Sequence, residues 1–137
     1  MYLLDTNVVS ELRKAREAQQ GVRRWAQGLP TASLYLSAIS ILELEIGVLL
    51  IARRDRKQGE VLRAWMDKQV LPTFTGHILP VDTAVAQRCA ALHVPNPRSD
   101  RDALIAATAL VHGLSVVTRN TKDFQPMGVD LINPWIS

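Results

Sequence analysis

Cysteine is almost missing from this sequence: Cys89 stands alone among 137 residues. No intramolecular disulfide can form, and a reducing compartment is the simpler setting. Histidine is nearly as scarce. His77, His93 and His112 have no ligand-like spacing with each other or with Cys89, which argues against a structural zinc site. Aromatic residues make up 5% of the chain, and Trp25, Trp65 and Trp135 are too scattered to form a base-stacking series. No linker-like stretch of Gly, Ser or Pro interrupts the chain, and no repeat is visible. No apolar run is long enough to span a bilayer. The most apolar stretch, from Ala38 to Ala52, carries Glu43 and Glu45. The opening Met1-Tyr2-Leu3-Leu4-Asp5 lacks the basic start and apolar core of a signal peptide. A cytoplasmic protein with no membrane association is expected.

What remains is an ordinary globular composition. Hydrophobic residues are 47% and charged residues 21%, which excludes wholesale disorder. The length suits a single domain over residues 1–137. The formal charge of +3 admits an anionic partner without requiring one.

Apolar runs alternate with helical periodicity along the chain. Tyr2–Leu4, Leu34–Ser37, Ile78–Val81, Ser115–Thr118 and Val129–Ile132 read as strands. Between them the pattern predicts helices over Val8–Lys14, capped by Asn7, and over Glu17–Gln27. Ser40-Ile-Leu-Glu43 has the spacing of a capping box opening a long helix to about Arg54. Further helices are expected over Lys57–Val70, over Thr83–His93 behind Asp82, and from Ser99 or Asp100 to His112. A last short turn is expected at Asn120–Phe124. Such alternation predicts an α/β fold: a parallel twisted sheet of about five strands with helices on both faces.

The acids then fall in a pattern. Asp5 ends the first strand, Glu43 opens the helix after the second, and Asp123 follows the fourth. Asp100 and Asp102 open the helix whose start lies beside the fourth strand's end. In a parallel sheet these all occupy the carboxyl rim, where such sheets bind ligands. Carboxylates crowded on one rim repel each other. A hard divalent cation such as Mg²⁺ or Mn²⁺ would reconcile them and points to phosphate chemistry. Thr6, Asn7, Thr118 and Asn120 are placed to orient carboxylates, water or phosphate. Taken singly, Glu43, Asp102 and Asp123 also suit helix starts, where acids complement the dipole. Asp5 is different, because an unpartnered carboxylate after a buried strand is costly. Asp100 either caps its helix or replaces Asp102. Asp82 reads as a cap and Glu45 as ordinary surface or a partner contact. Arg13, Lys14 and Arg16 follow Asp5 closely and could meet a nucleic-acid backbone.

Four segments in order carry a family resemblance: Leu3-Leu4-Asp5-Thr6-Asn7, Ser40-Ile-Leu-Glu43-Leu, Asp102-Ala-Leu-Ile-Ala-Ala-Thr-Ala109 and Val117-Thr118-Arg119-Asn120-Thr-Lys-Asp123-Phe124. Together they resemble the PIN-domain ribonucleases, in particular the VapC-like toxins of toxin–antitoxin modules. The Asn133-Pro134-Trp135 ending is similar to the branch that includes FitB and the plasmid-stability proteins. The resemblance implies a parallel sheet between helix layers. It implies that Asp5, Glu43, Asp102 and Asp123 bind Mg²⁺ or Mn²⁺ and catalyse hydrolysis of an RNA phosphodiester by an activated water. Thr6 and Asn7 would be the polar pair after the first acid, and Thr118 or Asn120 the polar position beside the last. It also implies a small antitoxin that blocks the acidic site and binds operator DNA, and a toxin homodimer within a larger hetero-oligomer. Ile46–Ile51 would offer a dimer or partner surface.

Three other readings compete. A phospho-receiver domain would use Asp82 and Thr118, but it wants an acidic pair after the first strand and a lysine after the fifth. An aspartate-nucleophile phosphatase wants an acid where Asn7 stands. A non-catalytic dimeric companion of a DNA-binding antitoxin would use the acidic pocket only to dock an arginine.

Overall fold

The computed structural model describes residues 1–136. Five strands form one sheet: β1 (Tyr2–Leu4), β2 (Leu34–Ser37), β3 (Ile78–Leu79), β4 (Ser115–Val117) and β5 (Leu131–Ile132). Their spatial order is β3-β2-β1-β4-β5, and every neighbouring pair is parallel. The chain therefore builds outward from β1 to β3, then returns to lay β4 on β1's other side. That reversal puts the topological switch point between β1 and β4, the place where open α/β sheets hold ligands.

Helices connect the strands. They are α1 (Thr6–Leu12), α2 (Gln20–Gln27), α3 (Ala38–Arg54), α4 (Arg56–Trp65), α5 (Leu71–Thr73), α6 (Thr83–Leu92), α7 (Asp100–His112) and α8 (Thr121–Phe124). A wide π turn at Met66–Val70 joins α4 to α5. Side-chain alternation along the central strands splits the interior into two cores. Leu3 and Val116 face one layer with Val85 of α6 and Ile105 and Ala106 of α7. Leu4 and Val117 face the other with Val8 of α1, Leu44 of α3 and Leu62 of α4. Each of these strand residues is fully buried, worth roughly 1.5–3 kcal/mol apiece. The expected α/β sandwich is what forms.

Several local expectations give way to nearby alternatives. Asn7 does not cap α1; Asp5 does, its Oδ1 accepting from Thr6 N at 2.8 Å. The carboxylate at the strand end reaches the orphan amide first, which leaves the Asn7 amide for other partners. The capping box at Ser40 does not form. Ser37, already extended at the end of β2, caps α3 by accepting from Ile39 N at 3.0 Å. Glu43 thus lies in the helix's second turn, with its carboxylate released from capping. The helix expected over Glu17–Gln27 is divided: a 3₁₀ turn at Ala15–Glu17 opens with Ala15 at φ 52°, and α2 starts afresh behind Gln19. β3 is shorter than expected because Pro80, with no N–H to donate, follows at once. Asp82 caps α6 as expected, accepting from Val85 N at 3.0 Å. Gly113 closes α7 in the left-handed region, at φ 67°.

Candidate active site

Asp5 sits where β1 meets α1, only 5% exposed. Its backbone N–H still belongs to the sheet, donating to Val117 O at 2.9 Å. Its carboxylate accepts from three donors. Oδ1 accepts from Thr6 N; Oδ2 accepts from the Thr118 hydroxyl at 2.7 Å and from Asn7 Nδ2 at 3.3 Å. Thr118 lies just past β4, across the switch point, and its own hydroxyl accepts from Asn120 N at 3.0 Å. Asn7 Nδ2 also approaches that hydroxyl at 3.3 Å. Thr6, Asn7, Thr118 and Asn120 therefore form one network around Asp5.

Glu43 reaches the same rim from α3. Its Oε1 accepts from Thr6 Oγ1 at 2.7 Å, and its Oε2 stands 3.7 Å from the Arg101 guanidinium. Asp102 joins from the first turn of α7. These three acids line one recess of about 490 Å³ with Thr6, Asn7 and Asn120. Asp123, exposed on α8, does not line it. Its charge is nevertheless felt there, because Asp123 raises the pKa of both Asp5 and Asp102.

The electrostatics record this crowding. Burial pushes the Asp5 carboxyl above the ordinary range; hydrogen bonds from Thr118 and Thr6 oppose it, and the charges of Glu43 and Asp123 add to it. Asp102 is pushed up to about 6, first by burial and then by Asp5, Asp123 and Glu43. Asp5 and Asp102 are thus disfavoured as anions in the absence of a cation. Their donor set is all oxygen, with no histidine or thiolate. Among the described residues no group of three or more acidic, His or Cys side chains stands close enough together to hold a metal ion without water. The residues present fit a hard cation that keeps several waters, such as Mg²⁺ or Mn²⁺.

The structure also sorts the neighbours. Asp100 turns away: its side chain is 90% exposed and stands 3.5 Å from His93 Nε2. Asp102 is thus the acid of that pair at the rim. Glu45 is engaged elsewhere, gripped at 2.6 Å by Arg63 of α4. Asp82 caps α6 next to β3, separated from Thr118 by the width of β2 and β1. A receiver-like pairing of those two residues is excluded.

Of the basic residues singled out, Arg13 and Lys14 line the recess. Lys14 is held by Glu11 at 3.1 Å. Arg16 does not line it; it borders a separate depression with Leu12, Arg23 and Gln27. Sequence reasoning passed over Ser10, Glu11, Arg119 and Trp135, which also line the recess. Arg119 was within reach, since it stands between Thr118 and Asn120 at the end of a central strand. Nothing local to Trp135 announces its position.

A family model described as "PIN domain" matches residues 2–128. The chain is 39% identical to "VapC ribonuclease Y4jK" of Sinorhizobium fredii, with 98% of each chain covered. It is 38% identical to "Toxin FitB" of Neisseria gonorrhoeae, covering 98% of this chain and 99% of that one. Among solved structures, that of FitAcB from Neisseria gonorrhoeae superposes with a TM-score of 0.91, at 37% identity over 100% of both chains. A toxin–antitoxin complex from Klebsiella pneumoniae gives a TM-score of 0.70, at 29% identity over 98% of both chains.

Proposed function

The chain belongs to the PIN domain family, and on that premise we propose that it is a divalent-metal-dependent endoribonuclease, the toxin of a toxin–antitoxin module. The carrying observation is the network that fixes Asp5 and Glu43 beside Asp102 at the switch point of the sheet. The ribonuclease name of one relative and the toxin name of another support the same reading.

Asp5, Glu43, Asp102 and Asp123 would hold Mg²⁺ or Mn²⁺. Such an ion supplies electrophilic polarisation of the phosphate and a water of lowered pKa. The protein's part is preorganisation. Thr118, Asn7 and the Thr6 amide fix both oxygens of Asp5, and the Thr6 hydroxyl fixes one oxygen of Glu43. These carboxylates need no reorientation when RNA arrives. Arg13 offsets the negative floor for an approaching phosphate backbone.

A second copy and an antitoxin fit the outer face of α3 and α4. Leu49 and Leu50 are 61% and 57% exposed, and Val61 lies exposed on α4. The similarity to a structure described as a toxin–antitoxin complex supports an antitoxin partner; operator DNA would be bound through it.

Cleavage of total cellular RNA tests the reading. Wild type with Mg²⁺ should yield discrete fragments, while Asp5→Ala, or wild type with EDTA, should yield none. Full wild-type, metal-dependent cleavage by both Asp5→Ala and Asp102→Ala would refute the site. One contact favours a second reading, a non-catalytic companion whose acids dock a partner's arginine: Glu43 already faces the Arg101 guanidinium. That reading expects partner binding unaffected by EDTA and no fragment under any metal.

A further inference from the structure

Two arginines at the recess share an unusual arrangement. Arg119 Cζ lies 5.6 Å from the centre of the Trp135 ring, and Arg13 Cζ lies 5.9 Å from that of Trp65. Both arginines line the acidic recess and both are exposed. Among the described residues neither forms an ion pair with a carboxylate. An arginine on a protein surface rich in acids would ordinarily take the nearest one. Here Glu11 is spent on Lys14, and each guanidinium is held from behind by an indole face.

The support behind Arg119 is itself built. Its backbone N–H donates to Asn7 Oδ1 at 3.4 Å, tying it to the network around Asp5. Trp135 is seated by a turn in which its N–H donates to Asn133 Oδ1 at 3.0 Å, and its carbonyl accepts from Gln19 Nε2 at 3.5 Å. Gly21 lets that turn approach α2; a Cβ there would stand 2.5 Å from Pro134 O. A guanidinium held over an indole face keeps N–H donors free for a phosphate.

We propose that Arg119 and Arg13, each braced by a tryptophan, are phosphate-binding residues that grip the backbone of single-stranded RNA at the acidic recess. Trp135 and Trp65 act through them as positioning residues. The inference rests on the RNA-cleaving reading above for the identity of the ligand. It adds a binding role for Arg119 and a bracing role for both tryptophans.

The test separates charge from bracing. A fluorescein-labelled RNA 12-mer is titrated with protein in EDTA, where metal-dependent cleavage does not proceed, at several salt concentrations, and anisotropy gives Kd. Arg119→Ala should weaken binding about 10-fold and lower the slope of log Kd against log salt by about 0.7, the value of one phosphate contact on a single strand. Arg119→Lys keeps the charge but loses the planar guanidinium over the indole. It should keep the slope while weakening binding about 3-fold. Trp135→Ala should match Arg119→Lys, and Trp135→Phe should return close to wild type. Circular dichroism confirms that each variant is folded; if Trp135→Ala unfolds, the Arg119→Lys and Trp135→Phe pair carries the test alone. An Arg119→Ala variant with wild-type affinity and slope overturns the proposal, as does wild type that binds no RNA. A protein that binds the 12-mer through Arg119 but cuts no cellular RNA leaves the grip standing and removes the nuclease reading instead.

Discussion

Thr118 donates its hydroxyl to Asp5 Oδ2 at 2.7 Å across 113 positions of sequence. The bond spans the switch point of the sheet and joins the two strand ends that define the recess. It also opposes the burial that pushes the Asp5 carboxyl upward. Thr118→Val keeps the shape and deletes the donor. Asp5 should become harder to ionise, and Mn²⁺ affinity by calorimetry should fall about 10–100-fold, the usual cost of losing a group that orients a ligand. Unchanged affinity would mean that Asp5 is not a ligand.

The pH dependence has a definite sign. Asp102 titrates at about 6 against an ordinary 3.8, so the folded state holds this proton more tightly than the unfolded chain. The stabilisation is full below about pH 4 and is lost as pH rises through about 6. Asp5 is shifted in the same direction. In EDTA, Tm should therefore fall over this window, and Asp102→Asn should fall less steeply. With Mn²⁺ present the dependence should reverse, because metal and proton compete for the same oxygens. Parallel Tm profiles for wild type and Asp102→Asn in EDTA would contradict the assignment.

Adjacent acids should separate cleanly in activity. Glu43→Ala and Asp102→Ala should abolish RNA cleavage. Glu45→Ala should leave cleavage near wild type and lower Tm slightly, since it releases Arg63. Asp100→Ala should also cut normally, having only His93 beside it. Loss of cleavage in Glu45→Ala as complete as in Glu43→Ala would move the site along α3.

The hairpin of α3 and α4 depends on a close approach. A Cβ on Gly59 would lie 2.5 Å from both Cα and Cβ of Ala52. Backbone cannot yield as a flexible side-chain tip would. Gly59→Ala should cost about 1–3 kcal/mol in urea unfolding despite the better helix propensity of alanine. Stability equal to wild type would show that the two helices separate at little cost.

The sequence by itself determined the layering and the rim on which the acids gather. Strand runs such as Tyr2–Leu4 and Ser115–Val117 are apolar on both faces, which only a sheet covered by helices on both sides can bury. The alternation of strand and helix then forces the acids at strand ends and helix starts onto one rim. Local competition was not legible: Ser37 and Ser40 both look like caps, and only the end of β2 favours Ser37. Nor could spacing choose between Asp100 and Asp102. Two positions on a helix differ by about 200° in facing, and the packing of α7 on the sheet turned one toward the recess and the other toward His93. Trp135 shows the limit most clearly. Its place beside Arg119 follows from β5 lying next to β4 and from a turn seated on Gln19 and Gly21. The contacts to Gln19 and Gly21 join segments more than a hundred residues apart, and no local pattern encodes them.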